Sequence, residues 1–118
     1  YGDTVLRLAD WMIDDHRILV RTRNTGYAYE GIIHAYALAK QRGDSVRQAK
    51  YGCVIDMGLE HIMSWQVGGP NPNRYTAAVG NDPRAIGGIQ NAAFEPALRI
   101  DVTQHQMHAT LLARQYVY

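Results

Sequence analysis

The stretch from Gly68 to Asp101 constrains the fold most, because it separates helix-like segments and has no helical period of its own. Three segments with helical spacing of apolar residues precede it and one follows. Helix–helix connections in compact domains usually run about 2–8 residues, so this stretch is too long for an ordinary turn. Its scattered apolar side chains predict one long ordered loop that packs on the helices: Tyr75, Ala77, Ala78, Val79, Ile86, Ile89, Phe94, Leu98 and Ile100.

The first helix is predicted to begin at Asp3, whose carboxylate can accept hydrogen bonds from the free amides of the first turn. It ends near Asp15 or His16, and residues 17–24 stay open between a short extended segment and a turn. The apolar positions that recur at helical spacing predict its buried face: Val5, Leu8, Ala9, Met12 and Ile13.

The second and third helices are predicted to form an antiparallel hairpin, because only a short turn separates them. Asn24 or Thr25 can cap the second helix, and Gly43 lies where a left-handed residue ends helices. Ser45 and Gln48 match a capping box at the start of the third helix. The predicted apolar stripes are Tyr29, Ile32, Ile33 and Tyr36 in one helix and Tyr51, Ile55, Gly58, Leu59 and Ile62 in the other.

The fourth helix follows the loop, with Asp101 and Gln104 as a second pair of the capping-box type. Its predicted core positions are Met107, Leu111 and Leu112. No strand pair or βαβ pattern is visible, so the predicted fold class is all-α, with αα-hairpins and one long ordered loop. The 118 residues are predicted to form a single helical domain, residues 1–118.

Charge and cysteine content exclude several classes of function. The net charge is +1 without a basic run, so no nucleic-acid partner is predicted, and no apolar run is long enough to predict a membrane span. Cys53 is the only cysteine, lies in a helical pattern and is expected to be buried and inert. No phosphate-binding glycine loop, GxSxG or HExxH motif is present, and no cofactor is predicted. Because Tyr1 opens directly onto a helix pattern, we expect an excised piece of a longer protein, and the rest of that polypeptide is an expected partner.

Two groups of polar residues on helices are candidates for chemistry. Tyr27, Glu30 and His34 share one side of the second helix, where the carboxylate could orient the imidazole for acid–base work. A structural hydrogen bond at the helix surface remains the alternative reading. His105 and His108 are three residues apart and could share a metal ion, but two ligands do not make a site, and no metal is predicted.

The loop carries two arginines that could bind a ligand. Arg84 and Arg99 could each hold a carboxylate or phosphate in a bidentate fork, or could pair with Glu95 or Asp101. Three aromatic side chains could stack on a sugar ring or could pack the loop against the helices: Trp65, Tyr75 and Phe94.

The chain resembles helix pairs of carbohydrate-active (α/α) toroids, such as sugar epimerases and unsaturated glycosidases, over NTGYAYEGIIHAYALAKQRGD, AKYG and GLEHIMSWQ. It also resembles the terminal part of toroid proteins of unassigned function, similar to squalene cyclases and prenyltransferases, over GGIQNAAFEPALRIDVTQHQMHATLLA.

The resemblance implies that this chain is a C-terminal part of an (α/α) toroid-like array and that its ligand is a carbohydrate or another polyhydroxylated small molecule. The acid motif DXDD of the cyclases is absent, because Asp10, Asp14 and Asp15 have a different spacing. A non-catalytic helical interaction or structural module and a terpenoid-cyclase-like domain are the alternative readings.

Overall fold

The computed structural model describes all residues from 1 to 118 and contains five α-helices and a small two-stranded sheet. The prediction that the chain is mostly helical is confirmed. A 3₁₀ turn at Ile18–Val20 connects the first two helices. In chain order the elements are α1 (Gly2–Asp14), α2 (Gly26–Arg42), α3 (Ser45–Met63), α4 (Arg74–Ala78), β1 (Gln90–Ala92), β2 (Glu95–Leu98) and α5 (Ile100–Tyr116).

The hairpin of α2 and α3 forms the centre of the fold, and its turn follows from local chemistry. Gly43 ends α2 in the left-handed conformation at φ 68°, as predicted, and its amide donates to carbonyls of the last turn. The cap of α3 is Asp44, whose Oδ1 accepts from the amide of Arg47. The predicted capping box at Ser45 is therefore wrong, and Gln48 instead donates to the hydroxyl of Tyr36.

The two helices pack closely because Gly58 of α3 faces the ring of Tyr29 of α2. A Cβ atom at Gly58 would lie 2.1 Å from Cε1 and Cζ of that ring. Tyr29 is completely buried, its hydroxyl has no hydrogen-bond partner, and burial raises the pKa of this phenol. The predicted apolar stripes of both helices are buried and form the main core together with residues of α1 and α5.

Helix α1 packs on α2 through a face that matches the predicted one in part. Of the predicted positions, Ala9 is buried and Met12 and Ile13 pack against the core, whereas Val5 and Leu8 are exposed. Leu6, which was not predicted, is buried. Asp3 does not cap the helix, because α1 already begins at Gly2, and its carboxylate accepts from Arg42 at 2.6 Å.

A network of ion pairs joins the polar side of α1 to α3. Asp10 accepts from Arg47 at 2.9 Å, from Lys50 at 3.0 Å and from the Tyr51 hydroxyl at 3.1 Å. Partial burial alone would raise the pKa of Asp10, but the three hydrogen bonds outweigh it and lower that pKa below its ordinary value. Lys50 also donates to Asp14 at 2.7 Å, so these two acidic residues of α1 serve the packing of α1 on α3.

Helix α5 also differs from its predicted register. Met107 and Leu111 are exposed, whereas Val102, Ala109, Leu112 and Ala113 are buried, so the first two were wrongly assigned to the core. The small alanines allow α5 to approach α2 closely, and this selects the buried side. The predicted cap at Asp101 is wrong as well, because α5 begins at Ile100.

The segment between α3 and α5 contains secondary structure that the sequence did not predict. The short helix α4 is capped by Asn73, and β1 pairs with β2 in an antiparallel hairpin. The expectation of no strand pair was wrong, because strands of three and four residues are too short to show alternation and Pro96 interrupts the pattern.

The segment packs on the end of α3 around a second, smaller core of Trp65, Ile89 and Val102. Asn73 links it to α3, because its side-chain amide donates to the carbonyl of Ser64 and to Oε1 of Gln90.

Cys53, which was expected to be buried, is exposed on α3. None of the helices combines the length and the apolar character that crossing a membrane requires.

Candidate functional site

A cleft opens where the starts of α2 and α5 meet the β1–β2 hairpin. Its volume is about 270 Å³, and it is lined mostly by polar side chains, among them Arg23, Tyr27, Asn91, Arg99, Asp101 and His105. Protein sites for small ligands are concave and place a few polar groups at fixed positions. This cleft has that character, and it brings together residues from three separate parts of the chain.

Buried amide groups hold the walls of the cleft in place. Asn24 Nδ2 donates to Gln106 Oε1 at 3.0 Å, and Gln106 Nε2 donates to the carbonyl of Ile62 at 2.9 Å. Asn24 Oδ1 accepts from the amide of Gly26 at 2.8 Å, while the backbone amide of Asn24 donates to the carbonyl of Asn91. This network ties α2, α3, α5 and the β hairpin together immediately beneath the cleft.

Gly26 allows α2 and α5 to start side by side. A Cβ atom at this position would lie 2.9 Å from the backbone nitrogen of Gln106 and 3.1 Å from its Cα atom. Both of these atoms belong to the backbone of α5, so a larger residue could be accommodated only by moving one helix away from the other. The close approach of α2 and α5 next to the cleft therefore depends on this glycine.

Glu30 lies between two histidines of α5. Its Oε1 is 2.8 Å from Nδ1 of His105, and its Oε2 is 3.3 Å from Nδ1 of His108. An ionised carboxylate only accepts hydrogen bonds, so Nδ1 of His105 carries the donated proton. The other ring nitrogen of His105, Nε2, has no partner within the chain, and the ring lines the cleft.

The predicted partnership of Glu30 with His34 is not formed. His34 is exposed, and its ring packs against Tyr116 with a centroid distance of 5.7 Å. Glu30 is instead oriented towards α5, which is the main packing neighbour of α2. Tyr27 does lie at the cleft, with its ring edge-on to His105 at a centroid distance of 6.3 Å and with 54% of its surface exposed.

The residues predicted to bind a ligand divide between the cleft and other places. Arg99 lines the cleft, and its Nε and Nη2 donate to Asp101 at 3.0 and 2.7 Å. These hydrogen bonds hold the pKa of Asp101 below its ordinary value. Arg84 makes the same kind of pair with Asp82, outside the cleft.

Two of the three aromatic side chains considered for stacking on a sugar ring, Trp65 and Tyr75, also lie outside the cleft. Trp65 is buried in the second core with its ring edge-on to His61, so it has no free face for a sugar ring. Tyr75 accepts a hydrogen bond from Arg74 at 2.6 Å, and the guanidinium of Arg74 covers its ring at 4.6 Å from the centroid.

Within the group of Glu30, His105 and His108, His105 forms a hydrogen bond with the carboxylate and His108 lies close to it. The two imidazoles face different oxygens of one carboxylate, and the chain contains no three His, Cys, Asp or Glu side chains arranged to hold a metal ion.

Sequence reasoning noticed the spacing of the two histidines but not their partner, because Glu30 and His105 are 75 residues apart. Arg23, Asn24, Asn91 and Gln106 were not singled out for the site either.

Comparisons with protein-family models, with curated proteins and with solved structures give no match.

Proposed function

We propose that this domain binds a carbohydrate or another polyhydroxylated small molecule in the cleft, and that His105 transfers a proton there. The observation that carries this proposal is the pair of Glu30 and His105, in which Nδ1 is 2.8 Å from the carboxylate and Nε2 has no partner within the chain. Histidine suits proton transfer because its unperturbed pKa is about 6.5, close to neutral pH.

Glu30 positions His105. Its side chain is only 21% exposed, so the carboxylate is held by the packing of α2 against α5. A carboxylate that accepts from Nδ1 fixes both the tautomer and the orientation of the ring, and the unprotonated Nε2 can then act as a base. His108 is half exposed, and its Nδ1 lies 3.3 Å from Oε2 of the same carboxylate.

The other residues at the cleft suit a polyhydroxylated ligand. Tyr27 exposes about half of its surface and supplies an apolar ring face for the C–H groups of a sugar. Asn91 supplies an amide and Asp101 a carboxylate for hydrogen bonds with hydroxyl groups. A cleft of about 270 Å³ has room for one or two sugar rings, close to the lower end of the range for small-molecule sites.

We also propose that the α2–α3 hairpin belongs to an (α/α) toroid-like array in a larger protein. The support is the face of α1 formed by Val5, Leu8 and Trp11, which are spaced at intervals of three and are 41%, 58% and 51% exposed. Another helix pair of such an array would cover these side chains and remove their apolar surface from water.

The test combines a ligand screen with one variant in the cleft and one outside it. Neutral sugars, sugar alcohols and sugar acids are screened by thermal shift, and any ligand found is titrated by calorimetry. We expect His105→Gln to weaken binding by about twofold to tenfold, because a hydrogen bond between neutral groups contributes about 0.5–1.5 kcal/mol. His34→Gln removes a histidine of α2 outside the cleft, and the affinity should be unchanged.

Glu30→Gln separates charge from shape, since the amide oxygen can still accept from Nδ1 of His105. We expect this variant to keep its melting temperature and to lose binding or turnover in the full-length protein. A full-length Glu30→Gln variant with unaltered binding and turnover would remove Glu30 from the site. The absence of stabilisation by every compound in the screen would count against the proposal as a whole.

The same exposed face of α1 favours one alternative, a non-catalytic helical interaction module. If the domain acts only through this face, Leu8→Glu should abolish its association with the partner polypeptide. A terpenoid-cyclase-like role gains no support from the acidic residues of α1, because Asp10 and Asp14 form hydrogen bonds with Lys50.

A further inference from the structure

We infer that the ligand of the cleft carries a carboxylate group and that Arg23 is the residue that recognises it. This inference rests on the proposed binding function of the cleft and adds the chemical class of its ligand, a sugar acid such as a uronate. It rests on the hydrogen bonds and ion pairs of the two arginines that line the cleft, Arg23 and Arg99.

Arg23 has a guanidinium that makes no hydrogen bond and a backbone that is fixed. Its one ionic partner is Glu95, whose Oε1 is 3.9 Å from Nη2 of Arg23, beyond hydrogen-bond distance. The backbone is held on both sides, because Arg23 forms a β-bridge with Ala92 and the amide of Asn24 donates to the carbonyl of Asn91 at 2.8 Å. The N–H donors of Arg23 therefore lie beside the cleft, with the side chain 73% exposed and only a long ion pair to Glu95.

Arg99 is in the opposite condition, because Asp101 already occupies two of its donors. The opposite charges of Arg99 and Asp101 neutralise each other. The two hydrogen bonds fix the guanidinium of Arg99, and its Nη1 remains as a donor at the cleft. The lining residues include two guanidinium groups and one carboxylate, and a second carboxylate, that of Glu95, lies 3.9 Å from Arg23. A ligand anion would therefore bind Arg23 in competition with Glu95.

The geometry of the donor group suits an anion that offers two oxygens side by side. A guanidinium is planar and presents parallel N–H groups that fit two oxygens of a carboxylate or a phosphate. Of these two groups, the carboxylate is the one that a sugar acid carries. Glu95 approaches Arg23 without reaching hydrogen-bond distance, and Asn91 draws it away by donating to its Oε2 at 3.3 Å. A ligand carboxylate in the cleft can reach shorter, bidentate contacts with Arg23 and would replace Glu95 as its neighbour.

The test compares sugars that differ only in this group. Glucuronate and glucose, galacturonate and galactose, and inorganic phosphate are titrated into the protein at one ionic strength. We expect each uronate to bind at least about tenfold more tightly than its neutral counterpart, since hydrogen bonds to charged groups are the stronger ones.

Three variants assign this preference to a residue. Arg23→Gln should abolish the preference for uronates without changing the affinity for neutral sugars. Arg84→Gln, which removes an arginine outside the cleft, should change neither. Glu95→Gln removes the competing carboxylate and should tighten uronate binding, a gain that a misfolded variant cannot produce.

Each outcome decides between the two proposals. Equal affinity for uronates and neutral sugars would overturn the inference and leave the proposed function standing. Binding of phosphate that depends on Arg23, without binding of uronates, would overturn the carboxylate assignment. No binding of any of these compounds would overturn both.

Discussion

Gly58 permits the close contact between α2 and α3, and its replacement by alanine gives a quantitative test of the packing. The added Cβ would lie 2.1 Å from the Tyr29 ring, whereas ordinary contacts begin at 3.4 Å, so the ring or the helix must move by about 1.3 Å. The ring is completely buried and has no free space to enter. Overpacking of this severity costs about 3 kcal/mol, at the upper end of the usual range.

Alanine also favours helix formation by about 1 kcal/mol relative to glycine, which offsets part of this cost. The expected net loss for Gly58→Ala is therefore about 2 kcal/mol in the free energy of unfolding. For a chain of 118 residues the unfolding entropy is about 0.25 kcal/mol/K, so the melting temperature should fall by about 8 °C.

Gly31→Ala is the matched control for this substitution. Gly31 lies in α2, and a Cβ atom there would meet no atom within 4 Å. We expect this variant to gain about 1 kcal/mol from helix propensity alone and to melt about 4 °C higher. Urea unfolding followed by circular dichroism and differential scanning calorimetry measure both changes.

The reasoning is refuted if Gly58→Ala melts at or above the temperature of the unmodified chain. A second measurement identifies the contact itself. Combining Gly58→Ala with Tyr29→Leu should cost less than the sum of the two single changes, because the smaller side chain leaves room for the methyl group. Strict additivity would show that the two positions do not interact.

Three further predictions concern residues with other roles. The pKa of Asp10 is lowered in the folded protein, so its stabilisation is present above pH 3.8 and is lost as the pH falls through the folded value. Asp10→Asn should therefore lower the unfolding free energy by about 2 kcal/mol at neutral pH and by less below pH 3.8. A loss that does not depend on pH would contradict this prediction. The control is Asp3→Asn, at a side chain that is 87% exposed, which should change the unfolding free energy little at either pH. Gln106→Leu leaves the buried Nδ2 of Asn24 without its acceptor, whereas the carbonyl of Ile62 still accepts from the amide of Trp65. It should cost at least about 1 kcal/mol by urea unfolding, and a smaller loss would contradict the network. Leu112→Ala should cost about 2–5 kcal/mol and Leu111→Ala less than about 0.5, and equal losses would contradict the register of α5.

The parts of the fold that could be predicted from the sequence depend on neighbouring residues. Gly43 ends α2 as expected because the left-handed conformation is a local property of glycine. The stripes of α2 and α3 are buried as expected because both helices lie at the centre of the main core. In α5 the apolar residues lie on more than one side, and only the approach of α2 to Ala109 and Ala113 decides which side is buried.

The candidate site was harder to predict because its residues come from distant segments. Of the predicted site residues, Tyr27 and Arg99 line the cleft and Glu30 contacts His105, which also lines it. Their function stays a prediction. His34 was chosen for its spacing from Glu30, but spacing on one helix cannot show that a neighbouring helix offers a closer imidazole. The β hairpin, which forms one wall, consists of strands too short to show a period.

The hydrogen bond between Asn24 and Gln106 spans 82 residues of chain, and this separation has a consequence for the order of folding. The α2–α3 hairpin can form early, because its contacts are local and closing its short turn costs little entropy. Docking of α5 must wait until a much longer loop is closed. Substitutions at Gly58 should therefore slow refolding, whereas substitutions at Gln106 should mainly accelerate unfolding. The cleft would then be the last part of the molecule to form and the first to open.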